Sequence, residues 1–179
     1  MKPTALAVFC GSRAGNDPLF IKQAATLGTL LAKHHITLVY GGGSVGIMGA
    51  VADAVMEHGG QVIGVIPEKL LEWEQEHKGI TDLRVVADMH IRKKMMYDLC
   101  DAAIILPGGH GTLDELFEML TWNTLKIHEK KIIILNTAGF YNHLLGHMDT
   151  MTERGFLYEN WRDRITVVEH AEAIAAFWV

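Results

Sequence analysis

The chain is predicted to fold as one α/β domain with a Rossmann-like, doubly wound sheet, mainly parallel, of about seven strands with helices on both faces. Short β-branched or apolar runs alternate with longer stretches of helical period, and each junction carries Gly, Ser, Asp or Asn. The strand runs are continuously apolar instead of alternating in and out, as strands covered on both faces must be.

Ala5, Leu6, Ala7, Val8 and Phe9 make the first strand, 5–9, and a helical period follows near 18–34. Thr37 to Tyr40 form the second strand, 37–40, from which a glycine run leads into a helix near 46–58. The third strand, 62–66, reads Val-Ile-Gly-Val-Ile, and the fourth, 84–86, reads Arg-Val-Val. A helix near 91–100 precedes the fifth strand, 102–106, and a helix near 113–127 precedes the sixth, 132–135, which is Ile-Ile-Ile-Leu. A helix near 140–152, a seventh strand over 165–168 and a helix near 171–177 complete the alternation. The long connection over 67–82 carries Glu68, Glu72, Glu74 and Glu76 around Trp73, and is either a solvated acidic excursion with a short helix or a flap over a ligand.

A length of 179 residues against a usual ~150 per domain favours one domain. With 49% hydrophobic and 21% charged residues, the chain is neither disordered, collagen-like nor a small disulfide scaffold. Its net charge of −5 argues against broad wrapping of nucleic acid or an acidic membrane. Cys10 and Cys100 form no C-x-x-C motif, which favours a reducing compartment. The apolar run from Ala5 to Cys10 is shorter than a secretory core, and nothing approaches the ~18 apolar residues of a membrane span. A cytoplasmic protein with no anchor is expected.

In open α/β sheets ligands bind beyond the carboxyl ends of the strands, so the turns there are the candidate site. Cys10-Gly11-Ser12 follows the first strand, and the Ser12 hydroxyl is within reach of a ligand there. The turn after the second strand, from Gly41-Gly42-Gly43 to Gly46, contains G-x-G-x-x-G. In the second strand–helix unit of a chain, that pattern reads either as a mononucleotide cradle using Gly42 and Gly43 or as glycines that fit a helix against the sheet, more readily than as a dinucleotide site. The third turn, Pro107-Gly108-Gly109-His110-Gly111-Thr112, crowds glycines at a helix start, where unpaired N–H groups and the helix dipole attract a phosphate. Thr112-Leu113-Asp114-Glu115 reads equally as a capping box.

Helical spacing adds orientation. In the 113–127 helix, Leu113, Leu116, Phe117, Leu120 and Thr124 form the expected core stripe, leaving Glu115, Glu118 and Trp122 on the opposite face against a partner subunit, a ligand cleft or both. In the 91–100 helix, Ile91, Met95, Met96, Leu99 and Cys100 define an apolar arc with Arg92 near its centre and Lys94, Tyr97 and Asp98 outside it. An arginine directed inward needs a carboxylate or phosphate. His143 and His147 are four residues apart but lack the acidic context of a zinc helix, so no metal is expected. No serine sits in a G-x-S-x-G elbow, and the lysines carry no recognisable pyridoxal phosphate signature.

Together these residues resemble the LOG (Lonely Guy) phosphoribohydrolases, nucleotide hydrolases often labelled lysine decarboxylases. The likeness runs through Cys10-Gly11-Ser12, the glycine turn after Tyr40, Val65-Ile66-Pro67, Met89-His90 with Arg92-Lys93 and Met96, the P-G-G-x-G-T-x-x-E element ending at Glu115, Thr121-Trp122, Ile127-His128 and Gly139-Phe140-Tyr141. The resemblance implies hydrolysis of the N-glycosidic bond of adenine-type nucleoside 5′-monophosphates, AMP or a cytokinin riboside monophosphate, with no metal or other cofactor. It implies Arg92 and Glu115 as the catalytic pair, and Lys93, Gly109, His110, Gly111, Thr112, Leu113, Asp114, Thr121 and Glu74 as substrate contacts. It also implies a homodimer that shares its active site. The chain departs from the family pattern at Ile91, Thr124 and Lys126, where an acid, Gln and Gly are common. The competing expectation is a non-catalytic nucleotide-binding or carrier protein of related fold.

Overall fold

The computed structural model describes residues 2–71 and 75–178. Seven strands form one parallel sheet: β1 (Ala5–Phe9), β2 (Thr37–Tyr40), β3 (Val62–Pro67), β4 (Asp82–Val86), β5 (Ala102–Ile105), β6 (Ile132–Leu135) and β7 (Ile165–Val168), in the order β4-β3-β2-β1-β5-β6-β7. The chain works outward from β1 to β4, returns to place β5 beside β1, and works outward again to β7. The order therefore reverses between β1 and β5, where an open α/β sheet leaves a crevice at its carboxyl edge.

Side chains leave a strand alternately to either face. Leu6 and Val8 of β1 join Leu38 and Tyr40 of β2 beneath α1 (Pro18–Lys33) and α2 (Gly46–Glu57). Ala7 and Phe9 join Val39, Val65 and Ile105 beneath α3 (Met89–Leu99), α4 (His110–Thr124) and α5 (Asn142–Glu153). The C-terminal segment Ala171–Trp178 is a 3-10 helix instead of the expected α-helix, and it returns to the first face, where Gln23 of α1 accepts the Ala171 N–H at 2.6 Å. Among the described residues, no helix is long and apolar enough to cross a membrane.

The strands stand where the sequence places them, except that β3 runs one residue further, β4 starts two residues earlier and β5 ends one residue sooner. Helix starts moved more. Asp88 caps α3 by accepting the Ile91 N–H at 2.9 Å, so that helix begins at Met89. The start of α4 lies three residues before the expected one, with Gly109 at the N-cap and no side-chain cap. Thr112 is already helical and buried, so the capping-box reading fails.

At the far end of α4, Lys126 stands where a glycine fits the backbone better. Lys126 adopts φ 57°, and the N–H groups of Lys126 and Ile127 close on the carbonyls of Asn123 and Trp122 at 3.0 and 2.9 Å. That is a left-handed helix stop, the conformation glycine takes without a Cβ penalty. Lys126→Gly is expected to exceed Lys126→Ala in stability by about 1 kcal/mol, since both lose the charge and only alanine keeps the strain. Urea denaturation of the two variants measures the difference.

Candidate active site

Because β1 and β5 are neighbours, their following turns touch. Gly11 N–H donates to the Pro107 carbonyl at 3.0 Å, and Met48 N–H donates to Gly11 at 3.3 Å. A Cβ on Gly46, at φ +64°, would lie 2.5 Å from the Ser12 backbone. The last glycine of G-x-G-x-x-G thus lets α2 begin directly against the first turn. Gly108 is similarly confined, since a Cβ there would meet the Thr112 hydroxyl at 2.1 Å and the Gly11 nitrogen at 2.9 Å.

These turns surround a cleft of about 520 Å³, within the size range of small-molecule sites. One wall is the start of α4. Its first internal bond runs from Leu113 N–H to Gly109 at 3.2 Å, so the N–H groups of residues 109–112 lie ahead of any helical acceptor and line the cleft at the positive end of the helix. Ser12 and Arg13, from the turn after β1, line the same cleft.

Arg92 and Glu115 also line the cleft, and both are buried. The Arg92 side chain donates through Nε to the Val65 carbonyl at 3.0 Å and through Nη2 to the Gly41 carbonyl at 2.8 Å. Those acceptors lie in β3 and just past β2, so the sheet itself aims the guanidinium. Glu115 sits in the second turn of α4, and its Cα–Cβ bond tilts back toward the helix start, the end that attracts an anion. Phe20, Met48, Leu70, Met89 and Phe140 form the apolar wall. Phe140 meets the rings of Phe20 and Tyr141 edge-on at 5.7 and 4.8 Å, and the Tyr141 hydroxyl donates to Leu106 at 2.7 Å.

Of the residues singled out from the sequence, Ser12, Arg92, Gly109, His110, Gly111, Thr112 and Glu115 meet in this cleft. Gly42 and Gly43 do not line it. Gly42 backs onto Ile66 and Leu83 and accepts the His77 N–H at 2.9 Å, while Gly43 bridges to Glu76, leaving Gly41 to line the cleft. Leu113 packs against the core, and Asp114 pairs with Lys93 between α3 and α4. Thr121 is exposed on a separate groove and donates to the Phe117 carbonyl at 2.7 Å. Glu74, with Glu72 and Trp73, lies outside the described residues. Leu70 brings the start of the long acidic connection to the cleft, which favours the flap over the free excursion.

Arg13, Met48, Met89 and Phe140 were not singled out as cleft residues. Arg13 had a legible signal, a cation directly after Ser12 in the first turn; Met89 had one too, being one helical turn before Arg92. The exposed His143 and His147 lie on α5 and are not among the residues lining the cleft.

Two helix faces differ from expectation. In α3, Arg92, Lys93, Met96 and Tyr97 are buried while Ile91 is exposed, because α4 covers the side assigned to solvent. In α4 the buried line is Thr112, Glu115, Leu116, Met119 and Asn123, and Thr124 is exposed. Trp122 requires no partner subunit, since it meets Tyr97 edge-on at 5.0 Å and His128 at 5.9 Å within the chain. The groove of about 330 Å³ lies instead along Phe117, Leu120, Thr121 and Leu125, facing Met148, Met151, Phe156 and Tyr158.

Between α3 and α4, Lys93 Nζ stands 3.0 Å from both Asp114 Oδ2 and Glu118 Oε2, and the Tyr97 hydroxyl donates to the same Glu118 oxygen at 2.7 Å. Burial acts to lower the Lys93 pKa, but hydrogen bonds and charge from Glu118 and Asp114 outweigh it and raise it. Burial, followed by Glu118, pushes the Tyr97 phenol well above its ordinary value. Across the neutral range Lys93 is therefore a cation and Tyr97 a hydrogen-bond donor.

A family model described as "Possible lysine decarboxylase" matches residues 48–177. The cytokinin riboside 5′-monophosphate phosphoribohydrolase LOG1 of Arabidopsis thaliana is 45% identical over 169 residues, 94% of this chain and 79% of that protein. The cytokinin riboside 5′-monophosphate phosphoribohydrolase of Rhodococcoides fascians is 43% identical over 176 residues, 97% of this chain and 89% of that protein. The molybdenum cofactor binding protein of Rippkaea orientalis shares the fold at a TM-score of 0.74 and 21% identity, with 99% of this chain and 96% of that chain covered.

Arg13→Gln is expected to weaken binding of inorganic phosphate to this cleft about tenfold, the loss of one charge-assisted contact, with a smaller effect at high salt. Titration calorimetry at two ionic strengths reads both effects.

Proposed function

The chain belongs to the LOG phosphoribohydrolase family, and from that premise we propose that it hydrolyses the N-glycosidic bond of adenine-type nucleoside 5′-monophosphates, cytokinin riboside monophosphates and AMP among them, to free base and ribose 5-phosphate. The observation that carries the reading is one cleft with an anion-binding helix start on its wall and Arg92 and Glu115 buried along the same lining.

In this reading the 5′-phosphate occupies the N–H groups of residues 109–112, with the Ser12 hydroxyl and Arg13 along the same cleft lining. The ribose then lies beside Glu115. As the C1′–N bond breaks, its electron pair leaves with the base and positive charge develops on the sugar; the Glu115 carboxylate stabilises that charge and orients water toward C1′. The water oxygen bonds to C1′ and a proton ends on the departing base. Arg92, fixed by the Val65 and Gly41 carbonyls, orients the carboxylate and substrate and stabilises the departing base. The apolar wall from Met48 to Met89 suits a planar base.

A pyridoxal phosphate decarboxylase does not fit this cleft. That chemistry needs a lysine to form a Schiff base, and the cleft lining contains none among the described residues.

The protein is proposed to act as a homodimer, with a second copy covering the groove that exposes Leu125, Phe156 and Tyr158, and with Thr121 of that face near the shared boundary. Leu125→Asp is expected to shift sedimentation from dimer to monomer and to lower turnover with it.

Glu115→Gln is expected to reduce base release by about a thousandfold while nucleotide affinity stays within about threefold. Chromatography after incubation with AMP and, separately, isopentenyladenosine monophosphate measures release, and calorimetry measures binding. Nucleotide binding by the wild-type protein with no base released from either would establish a carrier instead.

A further inference from the structure

The consecutive residues Arg92 and Lys93 are both buried, yet they serve different surroundings. Arg92 turns toward the carbonyls at the carboxyl edge of the sheet and lines the cleft. Lys93 turns toward α4 and is not among the cleft's lining residues; its side chain is only 10% exposed. Its ammonium bridges Asp114 and Glu118, which occupy adjacent turns of α4 on either side of Glu115 in the sequence. Glu118 is held a second time by the Tyr97 hydroxyl, one turn along α3 from Lys93. The same hydroxyl lies 3.4 Å from the main-chain carbonyl of Glu115. Phe9 and Trp122 pack edge-on against the Tyr97 ring at 5.9 and 5.0 Å, which fixes the hydroxyl from both sides.

We propose that Lys93 is a positioning residue and not a substrate ligand: with Tyr97 it clamps Asp114 and Glu118, and so fixes the rotation and height of α4 that place Glu115 in the cleft that Arg92 also lines. Two of the three ammonium hydrogens are committed to carboxylates, and both anchors lie on the helix that bears the catalytic carboxylate. Two carboxylates on adjacent turns repel, so without the cation the first turns of α4 lose their fixed seat on α3. A displacement near 1 Å at a reacting group costs about a hundredfold in rate, and substrate affinity, carried by the helix-start N–H groups, changes far less.

The proposal rests on the phosphoribohydrolase reading, and its test separates the two. Steady-state base release from AMP is compared for the wild-type protein, Lys93→Met, Lys93→Arg and Tyr97→Phe. Lys93→Met is expected to lower kcat about a hundredfold with KM within about threefold, and Lys93→Arg to recover most of the loss. Tyr97→Phe removes one hydroxyl while leaving the ring packing intact, and is expected to lower kcat about fivefold at unchanged KM; it decides the matter if Lys93→Met does not fold. A tenfold rise in KM at constant kcat in Lys93→Met would make Lys93 a substrate ligand and overturn the proposal, as would unchanged kinetics in both Lys93→Met and Tyr97→Phe. Should the wild-type protein release no base, the phosphoribohydrolase reading fails by itself, and hydrogen exchange of residues 113–116 in nucleotide-free protein decides the clamp. Faster exchange in Lys93→Met that Lys93→Arg reverses upholds it; unchanged exchange overturns it.

Discussion

The start of α4 is the constraint on which the rest of the site depends. A helix leaves its first N–H groups without internal acceptors, and here those of residues 109–112 face a cleft at the reversal of strand order. The neighbouring turns close in upon it because Gly46 and Gly108 permit backbone contacts that a Cβ would block. The residues at that start, Glu115 and Arg92 share one cleft lining, so their relative placement is set by the fold itself.

Burying charge next to that anion site demands compensation. Arg92 receives main-chain carbonyls from β3 and from the turn after β2, and Lys93 two carboxylates of α4. The α3 helix thus contributes both cations, and its contacts knit the sheet edge to α4. On the opposite face α1 and α2 pack through apolar side chains, and Phe20 and Met48 of those helices give the cleft part of its apolar wall.

The likeness to phosphoribohydrolases and the likeness to a molybdenum cofactor binding protein carry different weight. Identity near 45% across most of the chain places it in the family, whereas 21% identity over the same sheet reports the architecture alone. The P-G-G-x-G-T-x-x-E element holds five of the seven singled-out residues that the cleft brings together, which is why a local motif points to the cleft. Gly42, Gly43, Asp114 and Thr121 show the limit of such transfer. Their spacing matches the motifs, yet in this chain Gly42 packs against β3 and β4, Gly43 bridges to Glu76, Asp114 pairs with Lys93 and Thr121 faces the second groove.

The sequence by itself determined the parallel sheet, its helical layers, the cleft-lining turns and the inward direction of Arg92, because buried strands and glycine-rich helix starts leave local signatures in residue type and period. Only the tertiary structure decided that Thr112 is buried inside α4, that Tyr97 and Trp122 pack on each other, and that Lys93 joins α3 to α4. A helical wheel gives the angle at which a side chain leaves its helix but not what stands opposite. That depends on which strands pair and on the helices this pairing brings together, a relation between residues distant in the chain.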